Sequence, residues 1–308
     1  MDMNKSQSVS LLFAGQGNPL IGMGSDLWDL NSTCRHIWDC ASDISGLDIR
    51  RLCLKGPMNK LIQTTVQQIA VTAINVTLFS ILQSKTEDID VVGTCGHSVG
   101  EYAALFAAKA ISLEDLFRII HFRSMLMNEL SKINKGSMLA VKGGNHANIS
   151  QMIAHLGIDV DISCDNSPLQ QVIGGTHASL REITQSLNCS GLETTKLSVS
   201  GAWHTRLIED GVQSMRDFLA KVEVRPPQYD VLMNVTGVPE YCPLIIRENL
   251  SLHLTHTVKW TASIKHLLAH TSSVQFIEIS NKAYLQHMLH DFEDFIPDRA
   301  FHCKKYWQ

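Results

Sequence analysis

A serine between two glycines is the residue of this chain with the clearest capacity for chemistry. Residues 96–100 read Gly-His-Ser-Val-Gly, a G-x-S-x-G pattern centred on Ser98. An apolar run that predicts a strand (90–98) ends at this pattern, and a run rich in Ala and Leu that predicts a helix (100–110) follows at once. A serine at such a junction projects from the sheet edge, and the N–H of Val99 is placed to bind a developing oxyanion. The alternative is a tight turn in which Ser98 only caps the helix, and the strand–turn–helix context favours the nucleophile.

A nucleophilic serine needs a general base, for which histidine is the usual residue. The chain has 14 histidines, so most of them must be structural or exposed. His204 stands out because "SVSGAWHT" places it in a turn of small residues after a predicted strand. On composition alone, a loop histidine beside a packing tryptophan is the safer interpretation. His253 and His256 could together hold a metal, but no third ligand is near, and polar packing is favoured. No metal site is therefore predicted.

Composition and charge exclude several classes of function. Hydrophobic residues make up 44% and charged residues 18%, which is typical of a soluble globular protein. The net charge of −4 provides neither a basic field for nucleic acid nor a polybasic face for a membrane. We find no signal peptide, and no apolar run that approaches the length of a transmembrane helix. The eight cysteines form no C-x-x-C pair, which favours a reducing cytoplasm without zinc or disulfides.

The order of the predicted elements indicates an α/β protein. Besides the strand before Ser98, strands are predicted at 8–15 and 274–280, and a packed helix at 66–84. A further helix begins at Ser112, with Glu114 and Asp115 in its first turn. Strands that alternate with helices favour a largely parallel sheet.

Residues 131–199 follow a different pattern, namely β-α-β-β-α-β, which is typical of a ferredoxin-like unit. Its last predicted strand is "ETTKLSVS" (193–200). We therefore expect a hydrolase-like α/β core formed by 1–130 and 200–308, with an inserted ferredoxin-like subdomain at 131–199. The active site is expected in the cleft between the two parts.

Motifs along most of the chain resemble those of the malonyl-CoA:acyl-carrier-protein transacylase family. The segments that carry the resemblance run from residue 11 to about 285 in the family's order: "LLFAGQGNPLIGMG", "GHSVGEYAAL", "FRSMLMNEL", "DNSPLQQVIGG", "SVSGAWHT" and "VLMNVTG". The resemblance fits free-standing malonyl transferases of fatty-acid synthesis and also the acyltransferases that serve polyketide synthases lacking their own. The segment "GAWH", in place of more common variants, favours the acyltransferases that serve polyketide synthases.

The resemblance implies a set of catalytic residues. Ser98 would be the acylated nucleophile and His204 its general base. The side chain or backbone of Gln16 would form the oxyanion hole together with the N–H of Val99. His253 stands at the position whose backbone carbonyl orients the catalytic histidine.

The same resemblance implies the substrate contacts. Arg123 would pair with the free carboxylate of a malonyl group; the alternative is a surface ion pair with Asp115 or Glu129. His97 would line the acyl pocket, and Asn166 would face the active site from the small subdomain. Trp203 replaces the family's usual Phe and is expected in the substrate site.

The function that this resemblance implies is malonyl transfer from CoA to the phosphopantetheine thiol of an acyl carrier protein, without a bound cofactor. A proofreading acyl hydrolase of the same fold and a catalytically silent carrier-docking module are the alternatives. Arg123 separates the first two, because a hydrolase of unsubstituted acyl chains has no use for a buried guanidinium. The intact Ser98, His204 and Gln16 argue against the third.

Overall fold

Two β-sheets organise the part of the chain that the structure describes. The computed structural model describes residues 7–17, 19–86, 89–270 and 275–306, so residues 1–6, where a signal peptide would begin, lie outside it. Within those ranges the strands are β1 (Gln7–Phe13), β2 (Ile89–Gly96), β3 (Ser137–Lys142), β4 (Val160–Ser167), β5 (Gln170–Gly175), β6 (Glu193–Lys196), β7 (Asp230–Leu232), β8 (Gln275–Ile279) and β9 (Ala300–His302).

Helices cover and connect these sheets. In the described part of the chain they are α1 (Ser32–Ser45), α2 (Ile49–Lys55), α3 (Met58–Leu61), α4 (Thr64–Lys85), α5 (Gly100–Ala107), α6 (Leu113–Ile133), α7 (His146–Leu156), α8 (His177–Cys189), α9 (Gly211–Leu219), α10 (Pro243–Leu252), α11 (Trp260–His270) and α12 (Leu285–Leu289). Ser112 caps α6 as predicted, since its hydroxyl accepts a hydrogen bond from the N–H of Asp115 at 3.0 Å.

The larger sheet is parallel, with the order β7-β2-β1-β8-β9. β1 lies at its centre, and Leu11, Leu12 and Phe13 are fully buried because helices cover both faces. The carboxyl ends of β1 and β2 are neighbours in this sheet, since Phe13 pairs with Gly96. The turn that carries Ser98 therefore lies directly beside the turn that carries Gln16.

Helix α4 is the long core helix of the larger part. It has 22 residues and is apolar enough to cross a membrane by length and average composition alone, although it contains no uninterrupted apolar run of that length. In the structure 83% of this apolar window is buried, and α4 packs against α1, α5 and α6. Polar residues such as Gln67, Gln68 and Asn75 interrupt the run, and they are buried here within the protein.

The smaller sheet is antiparallel, with the order β4-β5-β3-β6. This order and the α7 and α8 connections are those of a ferredoxin-like unit, and the predicted fold class is confirmed. The sheet has a separate apolar core that includes Val141, Ile149, Ile173 and Ile183. The domain boundaries at 130 and 199 stay a prediction.

Strand β6 is shorter than the sequence predicts. Leu197 donates one further backbone hydrogen bond, to Met138, and the chain then leaves the sheet. Ser200 comes within 3.4 Å of Thr64, Oγ to Oγ. The departure from the sheet brings the following segment, with His204, across to the larger part.

Hydrogen bonds fasten the two parts to each other along one side. The backbone of Val258 donates to Ser163 and accepts from Asp165, both at 2.9 Å. The guanidinium of Arg206 makes a two-pronged contact with the carboxylate of Asp161, at 3.0 Å from Nε and 2.6 Å from Nη2. These contacts hold the small subdomain at the carboxyl edge of the parallel sheet, where Ser98 lies.

Candidate active site

The turn at Ser98 is strained, and its glycines are required. Ser98 has a φ of 50°, a left-handed conformation that is uncommon for a residue with a side chain. A Cβ on Gly96 would lie 1.9 Å from the backbone carbon of Gly100, and one on Gly100 would lie 2.4 Å from the oxygen of Phe13. Val99, not Ser98, is the N-cap of α5, so the capping interpretation does not hold. The strain presents the serine side chain at the sheet edge.

Ser98 and His204, 106 residues apart in the chain, meet at this edge. Oγ of Ser98 lies 2.8 Å from Nε2 of His204. Nδ1 of His204 lies 2.7 Å from the backbone oxygen of His253. Because a carbonyl oxygen can only accept, Nδ1 carries the proton, and Nε2 is left free to accept the proton of the serine hydroxyl.

The environment of His204 keeps its ring neutral. Burial lowers the pKa of His204 well below its usual value, and electrostatic repulsion from a protonated His253 and from Arg123 would lower it further. The hydrogen bond to the carbonyl of His253 opposes this effect. His204 is 2% exposed, so its ring is shielded from solvent in a form that can accept a proton.

Backbone N–H groups near Ser98 are available to an oxyanion. The side chain of Gln16 is engaged, since its Oε1 accepts from Gln68 at 3.3 Å and its Nε2 donates to Thr64 at 3.4 Å. The N–H groups of Gln16 and Val99 have no acceptor among the residues that the structure describes. The N–H of Ser98 is not available, because it donates to Asn234 at 2.9 Å.

Arg123 is a buried cation with free donors. It has 0% exposure, and its Nη1 donates to Oε1 of Gln68 at 2.6 Å. Its Cζ lies 5.5 Å from the centre of the Tyr102 ring, a cation–π contact. Nε and Nη2 have no acceptor within the described ranges. Burial lowers the pKa of Arg123, while Tyr102 and Glu101 raise it.

The surface ion pairs considered for Arg123 are made by other residues of α6. Asp115 pairs with Arg118 at 3.2 Å, and Glu129 pairs with Lys132 at 2.7 Å. That alternative is therefore wrong for Arg123, whose side chain points into the protein.

Of the remaining predicted site residues, His97 and Asn166 lie beside Ser98, whereas Trp203 lies in the main core. Nε2 of His97 lies 2.7 Å from Oδ1 of Asn166, which joins the larger part to the small subdomain beside Ser98. The ring of His97 also packs edge-on against Trp260, with centroids 5.5 Å apart. Trp203 is 4% exposed and lies in the main core, and a Cβ on Gly201 would meet its ring at 2.6 Å. A substrate contact for Trp203 stays a prediction.

Sequence reasoning missed three polar residues that support the site. Asn234 bonds the Ser98 turn, Glu101 bonds Asn234, and Gln68 bonds Arg123. A signal was available for Glu101 and Gln68, because each is a polar residue inside a strongly apolar helix. Asn234 lies in the "VLMNVTG" segment that carries the family resemblance, but nothing in that segment reveals its contact with the Ser98 turn.

In the structure, the two histidines that could have held a metal have other neighbours. Among the described residues, no three His, Cys, Asp or Glu side chains are grouped as ligands. Nδ1 of His256 lies 3.0 Å from the backbone oxygen of Leu252, and Nδ1 of His253 lies 2.9 Å from a carboxylate oxygen of Glu101.

The parallel sheet and the Ser98–His204 pair define the class: α/β proteins with a serine on a nucleophile elbow. A family model described as "Acyl transferase domain" matches residues 11–294, and the chain belongs to this family of enzymes. The family resemblance found in the sequence is thereby confirmed.

Individual relatives and solved structures agree with the family. The chain is 33% identical, over 286 residues, to the polyketide biosynthesis malonyl CoA-acyl carrier protein transacylase PksC of Bacillus subtilis, with 92% of this chain and 96% of PksC covered. The structure of the malonyl CoA-acyl carrier protein transacylase of Coxiella burnetii superposes with a TM-score of 0.90 at 25% identity, covering 97% of this chain and 94% of that one. A malonyl-transacylase solved in complex with a type II polyketide synthase carrier protein has a TM-score of 0.88 at 26% identity, covering 96% and 95%.

Proposed function

We propose that this enzyme moves a malonyl group from CoA to the phosphopantetheine thiol of an acyl carrier protein, through an ester on Ser98. The observation that carries the proposal is Arg123, a fully buried cation whose Nε and Nη2 lack acceptors in the described structure. A carboxylate at the far end of the acyl group supplies those acceptors. The activities in the names of the relatives support the same substrates.

In the first half-reaction Ser98 becomes acylated. Nε2 of His204 takes the hydroxyl proton of Ser98 as Oγ attacks the thioester carbonyl. The N–H groups of Val99 and Gln16 stabilise the oxyanion, since the side chain of Gln16 is engaged elsewhere. The intermediate then expels the CoA sulfur, which receives the proton from His204, and the serine ester remains.

In the second half-reaction the same groups work in reverse order. His204 takes the proton of the incoming pantetheine thiol, whose sulfur attacks the ester carbonyl. The tetrahedral intermediate expels Oγ of Ser98, which is reprotonated by His204. The enzyme is regenerated, and no water is consumed.

The base in this scheme has a neutral partner. The carbonyl of His253 fixes the tautomer of His204 and, lying at the end of α10, carries partial negative charge that favours the imidazolium. No carboxylate is required for the orientation.

Arg123 also separates transfer from the hydrolase alternative. Binding of an unsubstituted acyl chain would leave the guanidinium buried and unpaired, at a large desolvation cost. His97 and Asn166, which bond each other beside Ser98, are suited to close the acyl pocket on the side of the small subdomain. The silent docking module has no use for the bonded Ser98–His204 pair.

The cysteines and the relatives also support a cellular compartment and an acceptor protein for this enzyme. All eight cysteines are free, which fits a reducing cytoplasm. The similarity to PksC supports a carrier protein of a polyketide synthase as the acceptor. The substrate enters as a CoA thioester, and no cofactor takes part in the proposed steps.

Loss of the guanidinium is expected to remove the preference for malonyl. Charge-assisted hydrogen bonds contribute about 1.5–3 kcal/mol each. Arg123→Ala should therefore lower kcat/KM for malonyl-CoA by roughly tenfold or more, while acetyl-CoA should be unaffected or improved. The measurement is the ratio of malonyl to acetyl loading, followed by intact mass.

Two further variants sharpen this test. Arg123→Lys should rescue only in part, because an ammonium lacks the planar fork of a guanidinium. Arg118→Ala is the matched control, since Arg118 lies on the same helix and its side chain is exposed and paired with Asp115. If the ratio does not move in Arg123→Ala, or if the wild type hydrolyses acetyl-carriers faster than it loads malonyl, the hydrolase alternative replaces the proposal.

The rate of acylation should stay high in mild acid. Because burial lowers the pKa of His204 well below the usual histidine value of about 6.5, the ring remains unprotonated as the pH falls through that value. The rate is lost only where the pH reaches the lowered pKa. Single-turnover acylation by malonyl-CoA between pH 5 and 8 checks this, and an acid limb centred at or above 6.5 would contradict it.

A further inference from the structure

Asn234 joins the two ends of the strained turn that carries Ser98. Its Oδ1 accepts from the N–H of Ser98 at 2.9 Å, and its Nδ2 donates to the oxygen of Gly96 at 2.7 Å. Asn234 is 1% exposed and lies 136 residues from Ser98 in the chain. One amide side chain thus satisfies a donor and an acceptor on either side of His97.

The carboxyl group of Glu101 holds Asn234 in place. Oε1 of Glu101 accepts from the backbone N–H of Asn234 at 2.5 Å. Oε2 lies 2.9 Å from Nδ1 of His253, whose carbonyl orients His204. Glu101 has 0% exposure and lies in the first turn of α5, directly after the nucleophile elbow. A single carboxyl group therefore contacts the supports of both the nucleophile and the base.

These contacts determine which backbone N–H groups of the turn are left to bind an oxyanion. A left-handed residue costs of order 1–3 kcal/mol and persists only when its surroundings over-determine it. With its N–H bound to Asn234, the peptide of Ser98 cannot rotate without breaking that bond. The next N–H along the chain, that of Val99, is left without an acceptor in the described structure.

We propose that Asn234, held by Glu101, is a positioning residue for acyl transfer, which fixes the Ser98 turn so that the N–H of Val99 faces the oxyanion. The proposal rests on the proposed function for the identity of the acyl group only. Asn234 touches no reacting atom, and its effect is transmitted through the backbone of Ser98 and Val99.

Removal of the amide is expected to slow chemistry and leave substrate binding intact. Displacement of one oxyanion donor costs about 10²–10³-fold in kcat when it is lost completely. Asn234→Ala should therefore lower kcat for malonyl transfer by roughly 10–100-fold, with KM within about threefold of wild type. A purely structural defect would reduce the active fraction, and kcat per active site, titrated by acylation, would not change.

Glu101 supplies a conservative rescue. Gln keeps an oxygen acceptor for the N–H of Asn234, whereas Leu removes it. Burial raises the pKa of Glu101 to about 8, so a neutral Gln is a close mimic at pH 7. Glu101→Gln should stay within about threefold of wild type, and Glu101→Leu should lose about as much as Asn234→Ala. The double variant Asn234→Ala with Glu101→Leu should be no slower than the worse single variant, because both act on one turn.

A second readout keeps this test independent of the substrate. A fluorophosphonate reagent transfers its phosphonyl group to Oγ of Ser98 with loss of fluoride, so its rate reports the elbow and its oxyanion donors for any acyl substrate. Phosphonylation should fall in Asn234→Ala in parallel with kcat. Thr77→Val is the control, because Thr77 is a buried residue of α4 whose hydroxyl donates to the backbone oxygen of Ala73 in its own helix.

The outcomes separate the two proposals. If phosphonylation falls but malonyl is not the preferred acyl group, the positioning role stands and the proposed function fails. Wild-type kcat and phosphonylation in Asn234→Ala, or equal losses in Glu101→Gln and Glu101→Leu, would overturn the positioning role.

Discussion

Replacement of Ser98 by Ala is expected to abolish loading of the enzyme by malonyl-CoA. Ala removes Oγ, the atom that lies 2.8 Å from Nε2 of His204 and would carry the ester. Loss of such a nucleophile typically costs on the order of 10⁶-fold in kcat. Wild-type protein incubated with malonyl-CoA should gain one malonyl mass in an intact-mass measurement, and the Ala variant should gain none.

The fold should survive this substitution, so the result is informative. Ala keeps the Cβ and the backbone bond from Ser98 to Asn234. Ser84→Ala serves as the control, because Ser84 lies near the far end of α4 and its hydroxyl donates to the backbone oxygen of Ile81. Retained malonyl labelling in Ser98→Ala would remove Ser98 from the mechanism altogether.

Replacement of His204 by Ala is expected to slow both acylation and transfer. A positioned general base typically contributes about 10²–10⁴-fold. Both half-reactions should suffer because Nε2 takes a proton in each of them. Stopped-flow acylation and the transfer of a preformed malonyl ester to carrier protein measure the two steps separately.

The control for His204 is an exposed histidine. His146 lies at the start of α7 in the small subdomain, and His146→Ala should load at the wild-type rate. A near-normal rate in His204→Ala would move the base to another histidine, with His97 as the first candidate. Nε2 of His97 is hydrogen-bonded to Asn166, so this ring nitrogen is already engaged.

The elements around Ser98 could be predicted because their signals are local. An apolar run, two glycines and an Ala-rich run place Ser98 on an elbow without knowledge of the rest of the chain. The ferredoxin-like order could be predicted for the same reason, since each element of 131–199 has its own periodicity. The length of β6 could not, because the residues after Lys196 leave the sheet to satisfy contacts elsewhere in the chain.

The polar residues that hold the site together could not be predicted from the sequence. Asn234 bonds a turn 136 residues away, and Gln68 bonds Arg123 across 55 residues. A polar residue in an apolar helix, such as Gln68, indicates a buried contact, but the sequence does not reveal which partner Gln68 or Asn234 will meet. His204 was identified from its small-residue turn and from family resemblance, whereas its burial and neutral state depend on packing that only the folded chain shows.

The buried guanidinium has a consequence for the lifetime of the protein. An unpaired cation in the interior lowers the stability of the empty enzyme, and a bound carboxylate relieves that cost. Whatever binds the folded state alone protects it by mass action. Under the proposed function, the malonylated enzyme is therefore the more stable form, and the empty enzyme is more open to proteolysis. Under the proposed function, Arg123 thereby couples the supply of precursor to the stability of the folded enzyme.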